Sequence, residues 1–162
     1  MLFHVHLMHQ SASRSVTVAY PAWLTVEARG AWMRNVEDDV TVSRGRRSLA
    51  RVFDELGVRH EVERRTGDGY FSMDIYLPDY DVAVEFNGPT HYYHTSESSS
   101  TSRDASTTTR TAKTELRDFF LATQCAKVVT VPWFELTELE GSPENWRLYV
   151  KEKLAKEAGV EV

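Results

Sequence analysis

Asp74, Glu85, Asn87 and His91 stand close together in one stretch, YFSMDIYLPDYDVAVEFNGPTHYY, residues 70–93. Two carboxylates brought side by side offer a seat for a divalent cation, and a histidine nearby offers a base. The plainer reading is a hydrogen-bonded polar cluster at the end of a sheet. Both readings need the acids to meet.

Whether they meet depends on the elements that carry them. Met73, Ile75 and Leu77 alternate with polar residues, as do Val82, Val84 and Phe86 on the far side of Pro78-Asp79. Period-two patterning around Pro and Asp predicts a hairpin. A tight turn on Pro78-Asp79 pairs Leu77 with Tyr80, Asp74 with Ala83 and Ser72 with Glu85. The acids then lie diagonally on one face, about 7 Å apart or less. A three-residue turn would place them on opposite faces. The even register is expected, because it keeps all six apolar residues together.

The chain has 162 residues, enough for one domain with extensions, and 41% hydrophobic content supplies a core. A net charge of −5 excludes a wholly basic coat. The one cysteine, Cys125, excludes an internal disulfide and a cysteine zinc site, and suits a reducing compartment. No apolar run is long enough for a membrane span.

Residues 1–26 contain no acid, three His and one Arg. They are expected to form an extended arm, with SVTVAY and WLTVEA as short strands; an organelle address is the alternative. Residues 28–42 have no clean period and read as mixed or loop. Residues 43–57 predict a helix, with Ser43 as cap, Leu49, Val52, Phe53 and Leu56 as its apolar stripe, and Gly57 as its stop. Its other face holds Arg44, Arg46, Arg47 and Arg51, suited either to phosphates or to a solvated surface with Asp54 and Glu55 as partners. HEVERR reads as a strand. Residues 95–111 are Ser/Thr-rich low complexity and read as a mobile insertion. A helix follows over 112–124, with Ala112, Leu116, Phe119, Phe120 and Thr123 inward. KVVTV reads as a buried strand, and Ser142-Pro143-Glu144 opens a last helix. The expected fold is α/β, a small mixed sheet with helices on its faces. Its parts are an arm over 1–42, a domain over 43–140 and a C-terminal helix over 141–162.

MDIYLPDYDVAVEFNGPTHYY resembles the signature segment of the RAP domain, the RNA-binding domain abundant in Apicomplexans. Thr114-x-x-Arg117-x-x-x-Leu121 and KVVTVPWFEL resemble the family's T-x-x-K-x-x-x-L helix and the strand after it. Leu56-Gly57 fits the end of its preceding helix. The resemblance covers about residues 43–139. Arg117 replaces the family's lysine, and Cys125-Ala126 replaces its usual Gly-Trp.

The resemblance implies a core similar to PD-(D/E)XK restriction endonucleases, with RNA as partner. It also implies an organellar setting, for which the mitochondrial matrix is expected. No helical-repeat region precedes the domain, so a stand-alone subunit of an assembly such as the mitochondrial ribosome is expected. In that fold Asp74 and Glu85 match the metal-binding acids, and Asn87 stands where a lysine would help activate the nucleophile. An amide cannot do so, which makes an inactive site the expectation and leaves His91 as the spare base. No cofactor is expected. Mg2+ enters only under the alternative, a metal-dependent endonuclease. Expected phosphate contacts are Arg44, Arg46, Arg47, Arg51, Arg110, Lys113 and Arg117. Tyr92 and Tyr93 are expected to be exposed for base stacking, with Trp133 and Phe134 divided between stacking and core. A third reading is a structural subunit that docks mainly on protein.

Overall fold

In the computed structural model, residues 3, 5, 7, 8, 21–38, 44–93, 109–139 and 142–162 are described, without the side chains of 35–38. The chain divides into two compact units, Met1–Thr41 and Val42–Val162. The SVTVAY strand, the Ser43 cap and all but the last three residues of the 95–111 insertion fall outside the described residues. Among the described residues no helix is long and apolar enough to cross a membrane.

In the first unit, α1 (Ala22–Asp38) is a helix where a strand and a loop were expected. The Pro21 carbonyl accepts from the Leu24 and Thr25 amides at 3.0 and 3.2 Å, which starts the first turn. Leu24, Ala28 and Trp32, spaced i, i+4 and i+8, are all partly buried. Three β-favouring residues in WLTVEA are a local bias of a few tenths of a kcal/mol each, which a helix-length burial pattern overrides.

The second unit is a four-stranded sheet of order β1-β2-β3-β4: β1 (Glu61–Arg65), β2 (Ser72–Leu77), β3 (Val82–Asn87) and β4 (Lys127–Pro132). The first three strands are antiparallel, and β4 runs parallel to β3. Among the described residues five helical elements accompany them: α2 (Arg44–Leu56), a 3-10 turn (Pro89–His91), α3 (Ala112–Leu121), α4 (Trp133–Glu138) and α5 (Pro143–Ala158). This is the mixed α/β class the patterning predicts.

The apolar sides of β2, β3 and β4 (Ile75, Leu77, Val82, Val84, Val129, Val131) join Leu49, Val52 and Phe53 of α2 and Val150 and Leu154 of α5 in one buried core. The stripe on α2 is therefore the one its spacing predicts. Gly57 ends that helix at φ 68, and the Val58 amide reaches back to the Phe53 carbonyl at 3.0 Å. Such a left-handed stop favours glycine. Ser142 stands at the start of α5 without a side-chain cap bond.

The hairpin register differs from expectation. Leu77 pairs with Val82, Tyr76 with Ala83 and Ile75 with Val84, so the loop is Pro78–Asp81 rather than two residues. The Tyr80 amide closes a turn onto Leu77 at 3.2 Å, and Asp81 follows at φ 54. A two-residue turn with Pro at its first position would splay the strands; two further residues, one of them left-handed, restore their twist. Asp81 also fastens the loop to the start of β4, its carboxylate accepting from the Ala126 amide at 2.9 Å and the Tyr76 hydroxyl at 2.6 Å. The shift is by two residues in the pairing sum, so the faces are unchanged. Asp74 and Glu85 share a side, directly opposed instead of diagonal.

The inward side of α3 is also corrected. Thr114, Phe120 and Leu121 are buried, whereas Ala112 and Thr123 are exposed and Phe119 is 53% exposed. The turned-in positions are Phe120, as expected, and the i, i+3, i+7 set Thr114, Arg117 and Leu121. A long cation at the centre of that face is what an apolar-stripe reading misses.

Candidate functional site: a clamped carboxylate pair

At the open end of the hairpin the backbone ladder gives way to side chains. Asp74 and Glu85 are buried, at 2% and 0% exposure. The Asp74 amide donates to Glu85 Oε1 at 3.0 Å, and the Phe86 amide donates to Asp74 Oδ2 at 2.9 Å. Each carboxylate thus satisfies an amide of the opposite strand.

The remaining oxygens face arginines. Arg117, from α3, donates through Nη1 to Glu85 Oε2 and through Nη2 to the Ser72 carbonyl at 2.6 Å and to Asp74 Oδ1 at 3.4 Å. Arg46, from α2, places Nη2 3.2 Å from Asp74 Oδ1 and pairs through Nη1 with Glu63. Glu63 in turn accepts from the Ser72 hydroxyl at 2.8 Å. Gly45 makes this approach possible, since a Cβ there would overlap the Phe86 ring. All four oxygens of the Asp74–Glu85 pair are therefore occupied. The residues do not fit a divalent ion in this arrangement, because Arg117 holds Glu85 Oε2 and both Arg117 and Arg46 face Asp74 Oδ1.

The electrostatics follow from burial. Burial and the Asp74 charge push Glu85 from its ordinary 4.5 to about 8, against the pull of Arg117. Burial opposes charge on Arg117, but Glu85 and Asp74 outweigh it and raise its pKa. His91 is lowered, first by burial and then by Arg117, and its Nδ1 lies 3.3 Å from the Thr114 hydroxyl. Asn87 is fully buried. It lies near enough to Tyr92 to influence that phenol, yet neither polar atom of its amide meets hydrogen-bond geometry with a partner.

The structure thus brings together Asp74, Glu85, Arg117 and Arg46, with Asn87, His91 and Thr114 along the same end. Arg110 pairs with Asp118 and forms an isolated bridge with Tyr92. Arg44, Arg47, Arg51 and Lys113 are exposed, and so is Tyr93. Tyr92 is not the stacking surface expected of it: it is 6% exposed, with Phe134 edge-on at 5.6 Å. Trp133 and Phe134 are both half-buried. Glu63 was missed by sequence reasoning, since nothing local distinguishes it from the other charges of HEVERR. The one signal was its register, which sets it opposite Asp74.

No curated protein and no solved structure matches the chain. The model of the RAP domain family matches residues 84–153, from the middle of β3 to the third turn of α5. Glu85, Asn87, His91 and Arg117 fall inside the match, while Arg46, Glu63 and Asp74 complete the cluster from outside it. Over these residues the chain is similar to a RAP domain, and that similarity suggests RNA binding.

Proposed function

We propose that this chain is a non-cleaving RNA-binding protein of a mitochondrial ribonucleoprotein such as the mitochondrial ribosome. The observation that carries the non-cleaving part is the Arg117 clamp on Asp74 and Glu85. A guanidinium neutralises the pair and fixes its geometry, but it cannot lower the pKa of a bound water as a divalent ion does. Asn87 adds no cation, and His91 favours its neutral form. RNA binding follows from the RAP domain. The mitochondrial setting rests on where that family usually acts and on the acid-free residues 1–26.

A second reading, metal-dependent cleavage, draws on the direct opposition of Asp74 and Glu85 and on the raised Glu85. One set of assays separates the two. Purified protein should bind fluorescein-labelled single-stranded RNA with an affinity that falls steeply with salt, and should leave the RNA intact in Mg2+ or Mn2+. Cleavage that needs the ion and disappears in Asp74→Ala and Glu85→Ala would overturn the non-cleaving part. Absence of RNA binding at low salt, with salt-insensitive capture of a protein subunit, would favour the structural-subunit reading. The full chain fused ahead of a fluorescent protein should enter mitochondria; a diffuse signal would remove the organellar part.

A further inference from the structure

The four arginines of α2 are adjacent in sequence but not in space. At about 100° per residue, Arg44, Arg47 and Arg51 fall within an arc of about 60°, and Arg46 points to the opposite flank. The structure separates them accordingly. Arg46 is committed to Glu63 and Asp74, whereas the other three are exposed.

The acids that share this helix do not neutralise the outer three. Asp54 lies 3.8 Å from His60, and Glu55 lies 3.5 Å from Arg147 of α5. The first turn of α2 contains no acid. Among the described residues no carboxylate pairs with Arg44, Arg47 or Arg51. Two of these cations sit at the positive end of the helix dipole, where a positive side chain is disfavoured unless an anion arrives from outside. The stripe advances about 4.5 Å from Arg44 to Arg47 and about 10.5 Å to Arg51. Its planar forks suit phosphate oxygens in two-point contact.

We infer that the outer face of α2, through Arg44, Arg47 and Arg51, is the surface on which the phosphate backbone of RNA lies. This rests on the RNA-binding reading above and locates the contact outside the matched segment 84–153. Arg46 and Arg117 stay within the fold and take no part. Among the described residues the one acid on this stripe, Glu55 at i+4 from Arg51, is taken by Arg147, and the straight spacing of the three cations along the axis favours a regular polyanion over an acidic protein.

The test is fluorescence anisotropy with a 20-nucleotide single-stranded oligouridylate over a salt series. The protein is the full chain, its triple variant Arg44→Ala/Arg47→Ala/Arg51→Ala, and a charge-matched control, Lys127→Ala/Lys151→Ala/Lys156→Ala. All six substituted side chains are exposed, and melting by circular dichroism checks that each variant folds. The expected result is a loss of about tenfold or more in the arginine variant, with the log–log salt slope reduced by about 2, near 0.7 per phosphate contact. The lysine control should bind as the parent does. Single Arg47→Ala, reducing the slope by about 0.7, keeps the test open if the triple variant misfolds. A parent that binds RNA beside a triple variant that binds equally well overturns this inference and leaves the proposed function standing. A parent that binds no RNA overturns both. Binding of polyglutamate instead of RNA, lost in the same triple variant, overturns it in favour of an acidic protein partner.

Discussion

The two faces of the one sheet are built on different physics. On one, Ile75, Leu77, Val82, Val84, Val129 and Val131 meet the stripes of α2 and α5, and the contact needs only area and shape. On the other, Asp74, Glu85 and Asn87 are buried, with Arg117 of α3 reaching the two carboxylates and Thr114 of the same helix buried as well. Apolar burial is non-directional and tolerates exchange of one aliphatic residue for another. The polar face is directional: two carboxylates replace ladder bonds with amide contacts to the opposite strand, and one guanidinium closes the set. A buried ion pair adds little net stability over an apolar substitute, yet removing one partner is costly. The difference teaches that the apolar face holds the unit together while the polar face fixes the shape of one end of it.

The sharpest way to break that comparison is to remove one anchor from each face. Above about pH 8 Arg117→Ala should destabilise the protein by about 3–5 kcal/mol, because it leaves the Glu85 carboxylate buried without its cation and Asp74 with Arg46 alone. Phe53→Ala should cost a similar 3–5 kcal/mol through lost burial and a cavity. Urea unfolding at two pH values distinguishes them. The Arg117→Ala penalty should shrink as pH falls from about 9 to about 6, because Glu85 takes up a proton as pH falls through about 8, and the Phe53→Ala penalty should not. Equal pH response in both variants would mean that the two faces are not built differently after all.

The apolar face was largely legible in the sequence, because period two and period 3.6 report burial directly: the stripe on α2 and the alternation in β2 and β3 are found where their spacing puts them. Parity carried the acid pair as well, since a loop two residues longer than expected leaves every side chain on its own face. Three things were not legible. The register itself depended on Asp81, whose left-handed backbone and bonds to Ala126 and Tyr76 are tertiary facts. Arg117 read as a surface cation because its partners lie more than thirty residues away, and only the family motif marked its face. α1 was hidden because Trp, Thr and Val favour strands locally, while the start of the helix depends on the Pro21 carbonyl.

A somewhat smaller effect tests the charge state of the polar face. Glu85 is raised from 4.5 to about 8, so the folded chain holds a proton that the unfolded chain releases within that window. A raised folded-state pKa contributes stability that is fully present below about 4.5 and is lost as pH rises through about 8. Unfolding free energies measured from pH 5 to pH 8.5 should therefore fall more steeply for the parent than for Glu85→Gln, by an amount on the order of a few kcal/mol across the range. Substitutions on the apolar face should leave the slope alone. Parent stability that rises with pH relative to Glu85→Gln would mean that the Arg117 ion pair, not desolvation, sets the charge of Glu85.

The smallest expected effect separates Asn87 from the clamp beside it. Asn87 is as buried as Glu85, but its amide has neither donor nor acceptor satisfied, and each orphaned polar atom costs roughly 1–3 kcal/mol. Removing the amide forfeits packing but also relieves that cost. Asn87→Ala should thus change stability by less than about 1 kcal/mol, against the several expected for Arg117→Ala. The comparison is made by chemical denaturation under identical conditions. A loss approaching that of Arg117→Ala would place Asn87 inside the directional network, with an ordered water or the Tyr92 hydroxyl completing it. A near-neutral result would confine the specifying role of the polar face to the carboxylates and the arginines that hold them.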